Sequence, residues 1–136
     1  MKKTQHGDYA MWLTFNVLAR YQVRIIFSND VRKSAIKRIG HDPIDKDADA
    51  FVYHLRDTGM SYIFLPLDAT EHMVAHEAWH IVFRMFHYVH VQDMDDEMVA
   101  YHLGHLVEKI YEFKNKIKKS GGLNDHRPVP SKTSKR

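Results

Sequence analysis

Between Asp68 and Gly122 the chain carries one break, the polar stretch Gln92 to Asp95, and this single interruption constrains the fold more than any other feature. Asp68 or Thr70 can cap a helix running from about Glu71 to Tyr88, and Asp95 or Asp96 can open a second running to about Lys118. Ser120-Gly121-Gly122 ends it. A short turn between two such helices makes them an antiparallel pair.

Upstream the pattern changes. Tyr21 to Ser28 (YQVRIIFS) mixes β-branched, aromatic and charged residues in near-alternation and predicts a strand, beginning as early as Trp12 or Leu13. Asn29-Asp30 offers an N-cap for a short basic helix through Arg38, closed by Gly40, and His41 to Asp49 reads as an exposed loop. Phe51 to Arg56, the turn Asp57-Thr58-Gly59 and Ser61–Leu67 predict a β-hairpin. Pro66 then falls near the end of an edge strand, where a missing N–H is tolerated. The expected fold class is α+β: a short sheet, made of a strand and a β-hairpin, packed against the helix of 71–88 and the long C-terminal helix. This domain spans 1–119. Residues 120–136 are rich in Pro, Ser and Lys with little to bury, and predict a disordered basic tail.

A chain of 136 residues suits one domain with a real core. There is no cysteine, which excludes a disulfide framework and any thiolate metal site, so a bound metal must use histidine and carboxylate ligands. The net charge of +3 originates in the tail: Lys118 to Arg136 holds six Lys/Arg against one Asp, leaving the rest slightly acidic. The folded body therefore presents no broad basic face for nucleic acid. No stretch approaches the ~20 apolar residues of a membrane span. Lys2-Lys3 before Ala10 to Ala19 faintly imitates a signal peptide, but Thr14 and Asn16 interrupt the run and Gly7-Asp8 separates it from the lysines. The expected location is the cytoplasm.

Chemistry concentrates at His76-Glu77-Ala78-Trp79-His80. Two histidines four apart project from one helix face about a turn apart, and as neutral imidazoles can take two corners of a zinc tetrahedron. Glu77, beside the first, can reach a water on the metal without binding it, and take the proton as that water attacks a polarised carbonyl. One zinc ion per chain is the expected cofactor. A catalytic zinc usually has a third protein ligand and an open fourth position. A metzincin-type continuation is absent, since Phe83 and Phe86 stand in its place. The candidate is Glu97, which opens the final helix, with Ala100 and Gly104 on the same face to permit close approach. Glu97 also suits a helix N-terminus through the macrodipole alone.

His76-Glu77-x-x-His80 followed by Glu97-x-x-Ala100-Tyr101 resembles the gluzincin arrangement. More narrowly, Ser61-Tyr62-Ile63-Phe64-Leu65-Pro66-Leu67 leading into the motif, then Glu97-Met98-Val99-Ala100-Tyr101-His102-Leu103-Gly104, is similar to short bacteriophage-encoded zinc metallopeptidases, over roughly Tyr21 to Phe113. The resemblance implies a minimal zincin-like fold, with zinc on two histidines and a glutamate and an edge strand beside the active-site helix. Such a protein would work in the host cytoplasm.

Tyr101 is a candidate donor to a developing oxyanion, and His105 a candidate cleft residue. His102 and His105 are also candidate oxyanion stabilisers or alternative metal ligands. His72 reads as a helix-surface or supporting residue, and Trp79, Phe83, Met85 and Phe86 as core or helix–helix packing. Ser61–Leu67 is the candidate strand for pairing an extended peptide or protein substrate. The expected function is a zinc-dependent metallohydrolase, a peptidase. The alternative is a metal-stabilised, phage-type binding or inhibitory protein acting on a host partner with little turnover.

Overall fold

The computed structural model describes residues 1–17, 19–43, 49–56, 58–89 and 95–121. The tail expected from 120 onward therefore lies almost wholly outside the described residues. Within them the chain is an α+β domain in three layers: one helix, a four-stranded mixed sheet, and two further helices.

Tyr9–Val17 (β1) and Ala19–Ser28 (β2) form an antiparallel hairpin, with Tyr9 opposite Phe27 and Val17 opposite Ala19. A full strand thus precedes the one expected at Tyr21 to Ser28. The alternation was there: Tyr9, Met11, Leu13 and Phe15 all join the main core, while Trp12 stands outward. No Gly, Pro or Asn marks a turn between Val17 and Ala19, so the hairpin has no local signal.

Val31–Ile39 (α1) begins at Asp30, whose side chain accepts from the Lys33 N–H at 3.0 Å. It ends at Gly40, which adopts φ 92° and donates to Ile36 O at 2.8 Å, a left-handed cap that favours glycine. Phe51–His54 (β3) and Met60–Pro66 (β4) form the expected hairpin. Strand order is β1-β2-β4-β3, with β2 and β4 parallel and the other pairs antiparallel.

That order corrects one expectation. The strand of Ser61–Leu67 is interior, paired with β2 on one side and β3 on the other, so its backbone is not free for a substrate. Pro66 is tolerated there for a local reason. Leu67 N–H donates toward β2, to Ser28 O at 3.2 Å, so the Pro66 nitrogen faces the other side, where β3 has already ended opposite Phe64. The outer strand is β3, and among the described residues nothing pairs with its free edge.

Glu71–Tyr88 (α2) is capped by Thr70, which accepts from Met73 N–H at 3.2 Å, and Asp96–Lys119 (α3) by Asp95, which accepts from Glu97 N–H at 2.8 Å. One sheet face, carrying Val23, Ile25, Phe27, Ile63 and Leu65, packs on Ala78, Ile81, Met85 and Phe86 of α2 and on Leu106, Ile110 and Phe113 of α3. The opposite face, through Ile26, Phe51 and Phe64, receives Val31 and Ala35 of α1. Truncating Phe64 or Phe86, both fully buried, to alanine would cost about 3–5 kcal/mol.

Pairing of α2 with α3 is antiparallel. Lys114 Nζ donates to Ala69 O at 2.8 Å beside the start of α2, and the His102 ring meets Phe86 at 5.5 Å near its end. α3 lies toward β1 and β2, since Phe113 meets Phe27 and both His102 and His105 meet Phe15. α2 lies over β4 and β3. Asp8, fully buried, ties the N-terminal turn to α1 through Arg38 Nη2 at 2.7 Å, Arg38 Nε at 2.9 Å and a hydrogen bond from Ser34.

Candidate metal centre

His76 and His80 lie on the outward side of α2, next to the free edge of the sheet. Their Nε2 atoms stand 3.2 Å apart, a turn apart on one helix face. Two imidazole nitrogens on one tetrahedral zinc, each at about 2.0–2.1 Å, are separated by roughly 3.3 Å. The two rings share a hydrogen bond at this distance, and the same spacing suits two ligands of one ion. His76 also touches the ring of His72 at 6.0 Å between centroids, which places His72 on the helix surface beside it, as expected.

Glu77 turns the other way, into the seam between α2 and the start of β3. It is 9% exposed, and its Oε2 is 4.0 Å from His76 Nε2. Burial raises its carboxyl pKa, and the neighbouring His76 opposes that rise only in part. Asp49, Ala50, His72, Met73, His76 and Glu77 line a small open cavity of about 200 Å³. A carboxylate poised above its usual range beside two adjacent imidazoles is suited to exchanging a proton with a water.

Glu97 is not brought to this pair. Among the described residues no three His, Cys, Asp or Glu side chains gather closely enough to hold a metal ion. The reason is the length of α2. It runs eight residues past His80 to Tyr88, about 12 Å at 1.5 Å per residue, so the first turn of α3 comes level with the far end of α2. The α3 residues between the His102–Phe86 contact and the Lys114–Ala69 contact include Leu106 and Ile110, which are fully buried in the core. α3 also lies on the β1 side of α2, whereas the histidine pair faces the β3 side.

Tyr101 and His105 separate from the pair for the same reason. Tyr101 is 68% exposed and stacks on His105 at 6.3 Å, and His105 sits edge-on to Phe15 of β1, toward the opposite edge of the sheet. His102 packs on Phe15 and Phe86 and its Nδ1 is 2.8 Å from Met98 O. None of the three faces the His76–His80 pair. Met85 and Phe86 are buried as expected, but Trp79 and Phe83 are surface residues, each 39% exposed, their rings 6.0 Å apart.

Sequence reasoning passed over a group that the fold does place near the pair. His54, at the end of β3, shares the helix-facing side with Val52. Its Nδ1 is 2.6 Å from Ser61 Oγ, which is hydrogen-bonded in turn to the hydroxyl of Tyr21; Ser61 and Tyr21 are both buried. Burial, then the charges of Arg84 and His80, lower the His54 pKa to about 4, so its ring is neutral at pH 7. The signal was available: Arg84 follows His80 by one turn, and hairpin register puts His54 opposite Ser61.

No helix among the described residues is long and apolar enough to cross a membrane. Comparison of the chain with protein-family models, with curated proteins and with solved structures finds no match.

Proposed function

We propose that this protein is a zinc-dependent metallohydrolase acting on peptide bonds, with His76 and His80 as metal ligands and Glu77 as general base. The observation that carries the reading is the 3.2 Å separation of the two Nε2 atoms, with the buried Glu77 carboxylate 4.0 Å from one of them. His76 and His80 would hold the zinc, which when bound would polarise the scissile carbonyl and lower the pKa of a water toward ~7. Glu77 takes the proton of the attacking water and delivers it to the departing amine. Burial favours the protonated form of Glu77, which makes it the better acid in the second step.

The substrate backbone pairs with the free edge of β3, Phe51–His54, rather than with Ser61–Leu67. This strand runs beside α2, and the residues just before it, Asp49 and Ala50, line one cavity with Glu77 and His76. An extended peptide added there passes the histidine pair.

Purified protein should contain close to one zinc per chain by elemental analysis and cleave members of a peptide library in a chelator-sensitive way. Absence of both metal binding and cleavage would refute the proposal. One observation favours the second reading, a metal-stabilised binding protein with little turnover: the described residues gather only two strong ligands. Bound zinc without cleavage, unaffected by Glu77→Gln, would select it.

A further inference from the structure

Just past His80, α2, the end of β3 and the β3–β4 turn enclose a cleft of about 830 Å³. Among the described residues its charged lining is basic. His54, Arg56, Arg84 and His87 contribute to it, as does the hydroxyl-bearing Thr58, and no described carboxylate does. Arg84 has no carboxylate partner among the described residues, and its positive charge is felt at both His54 and the Tyr21 hydroxyl. Tyr88 lines the cleft from the last turn of α2, with its ring 5.6 Å from that of Tyr21.

The floor is a fixed row of hydrogen bonds. The Tyr21 hydroxyl and Ser61 Oγ share one hydrogen bond, and Ser61 Oγ and His54 Nδ1 share another. Two arginines on the cleft lining match a planar anion that accepts from several donors at once.

We infer that this cleft is a recognition pocket for a substrate carboxylate, bound by Arg84 and Arg56, with His54 on the same lining. The inference rests on the peptidase reading and adds a substrate class to it. Arg84 lies one helical turn beyond His80, about 6 Å along the axis. An extended peptide advances about 3.3–3.6 Å per residue, so the bound carboxylate belongs to a residue one or two positions from the scissile bond. It is either a C-terminal carboxylate or an acidic side chain.

Three blocked dipeptides separate these sources: N-acetyl-alanyl-glutamate amide, N-acetyl-alanyl-alanine, and N-acetyl-alanyl-alanine amide. Each is titrated into the isotope-labelled full chain while the amide resonances of His54, Thr58 and Arg84 are followed by NMR. At least one of the two carboxylate-bearing probes should shift all three resonances, and the uncharged probe should not. Arg84→Gln and Arg56→Gln, both on the cleft surface, should each weaken that binding by about tenfold, the size of one charged hydrogen bond. Equal shifts from the uncharged probe, or affinity unchanged in both variants, would overturn the inference. Tighter binding of inorganic phosphate than of either carboxylate would do so as well. Because the titration needs no turnover, carboxylate binding without zinc-dependent cleavage would leave the pocket standing and remove the peptidase. Zinc-dependent cleavage indifferent to carboxylates would do the reverse.

Discussion

The most direct quantitative test of the fold lies at Asp8. Its carboxylate is fully buried against Arg38, whose side chain is 8% exposed, and it also accepts hydrogen bonds from Ser34 and Thr4. Burial alone would raise its pKa. The hydrogen bonds from Arg38, Ser34 and Thr4, together with the Arg38 charge, outweigh burial and hold it at about 2, against 3.8 for an unperturbed Asp. A folded-state value below the unfolded one means stability that is present above pH 4 and lost as pH falls toward 2. At 1.36 kcal/mol per unit the contribution is about 2 kcal/mol. Asp8→Asn removes the anion at every pH and leaves Arg38 buried without it, so the loss at pH 7 should be about 2 kcal/mol or more, approaching the 3–5 kcal/mol of a broken buried pair. Urea denaturation of both proteins between pH 7 and pH 2.5 measures this, with the slope m checked for constancy. The gap between wild type and variant should narrow steadily below pH 4. A gap that is absent at pH 7, or that stays constant to pH 2.5, would refute the reasoning.

At the metal centre, Glu77→Gln should retain zinc and lower the cleavage rate by ~10²–10⁴-fold, since the amide keeps the shape but cannot accept a proton; a steady-state assay with elemental analysis decides it. His76→Ala and His80→Ala should each abolish stoichiometric zinc uptake in a competition titration with a chromophoric chelator. Glu97→Ala should leave zinc uptake unchanged, because α3 begins level with the far end of α2; loss of zinc there would restore Glu97 as a ligand. Gly59→Ala should destabilise by about 1–3 kcal/mol. An added Cβ would stand 2.7 Å from the Arg20 carbonyl oxygen and 2.9 Å from the Tyr88 ring, and the backbone oxygen cannot swing aside as the ring can. A thermal midpoint within one degree of wild type would contradict that contact.

Much of this was legible because it is local. Helix ends follow from Asp30, Thr70, Asp95 and Gly40, each a cap that works through its own neighbours. The His76–His80 pair was legible for the same reason: four residues on a helix fix the spacing whatever the rest of the chain does. What failed were two inferences about which elements lie side by side. Pro66 suggests an edge strand, yet β3 simply stops short of it. Glu97 is close to His80 in sequence, yet two further turns of α2 intervene. His54 carries no motif, and only the pairing of β3 with β4 reveals its hydroxyl partners.

Placing both histidines on one turn of a single helix has a thermodynamic consequence. A cross-link between residues 76 and 80 closes a loop of a few residues within one element, so it clamps α2 against fraying without tying α2 to the sheet. The same two side chains remain four residues apart in the unfolded chain, where they can still chelate a soft or borderline cation. Ligand binding stabilises a fold only by the difference between its affinity for folded and unfolded chains. Saturating zinc should accordingly slow hydrogen exchange within α2 far more than it raises the midpoint of global unfolding.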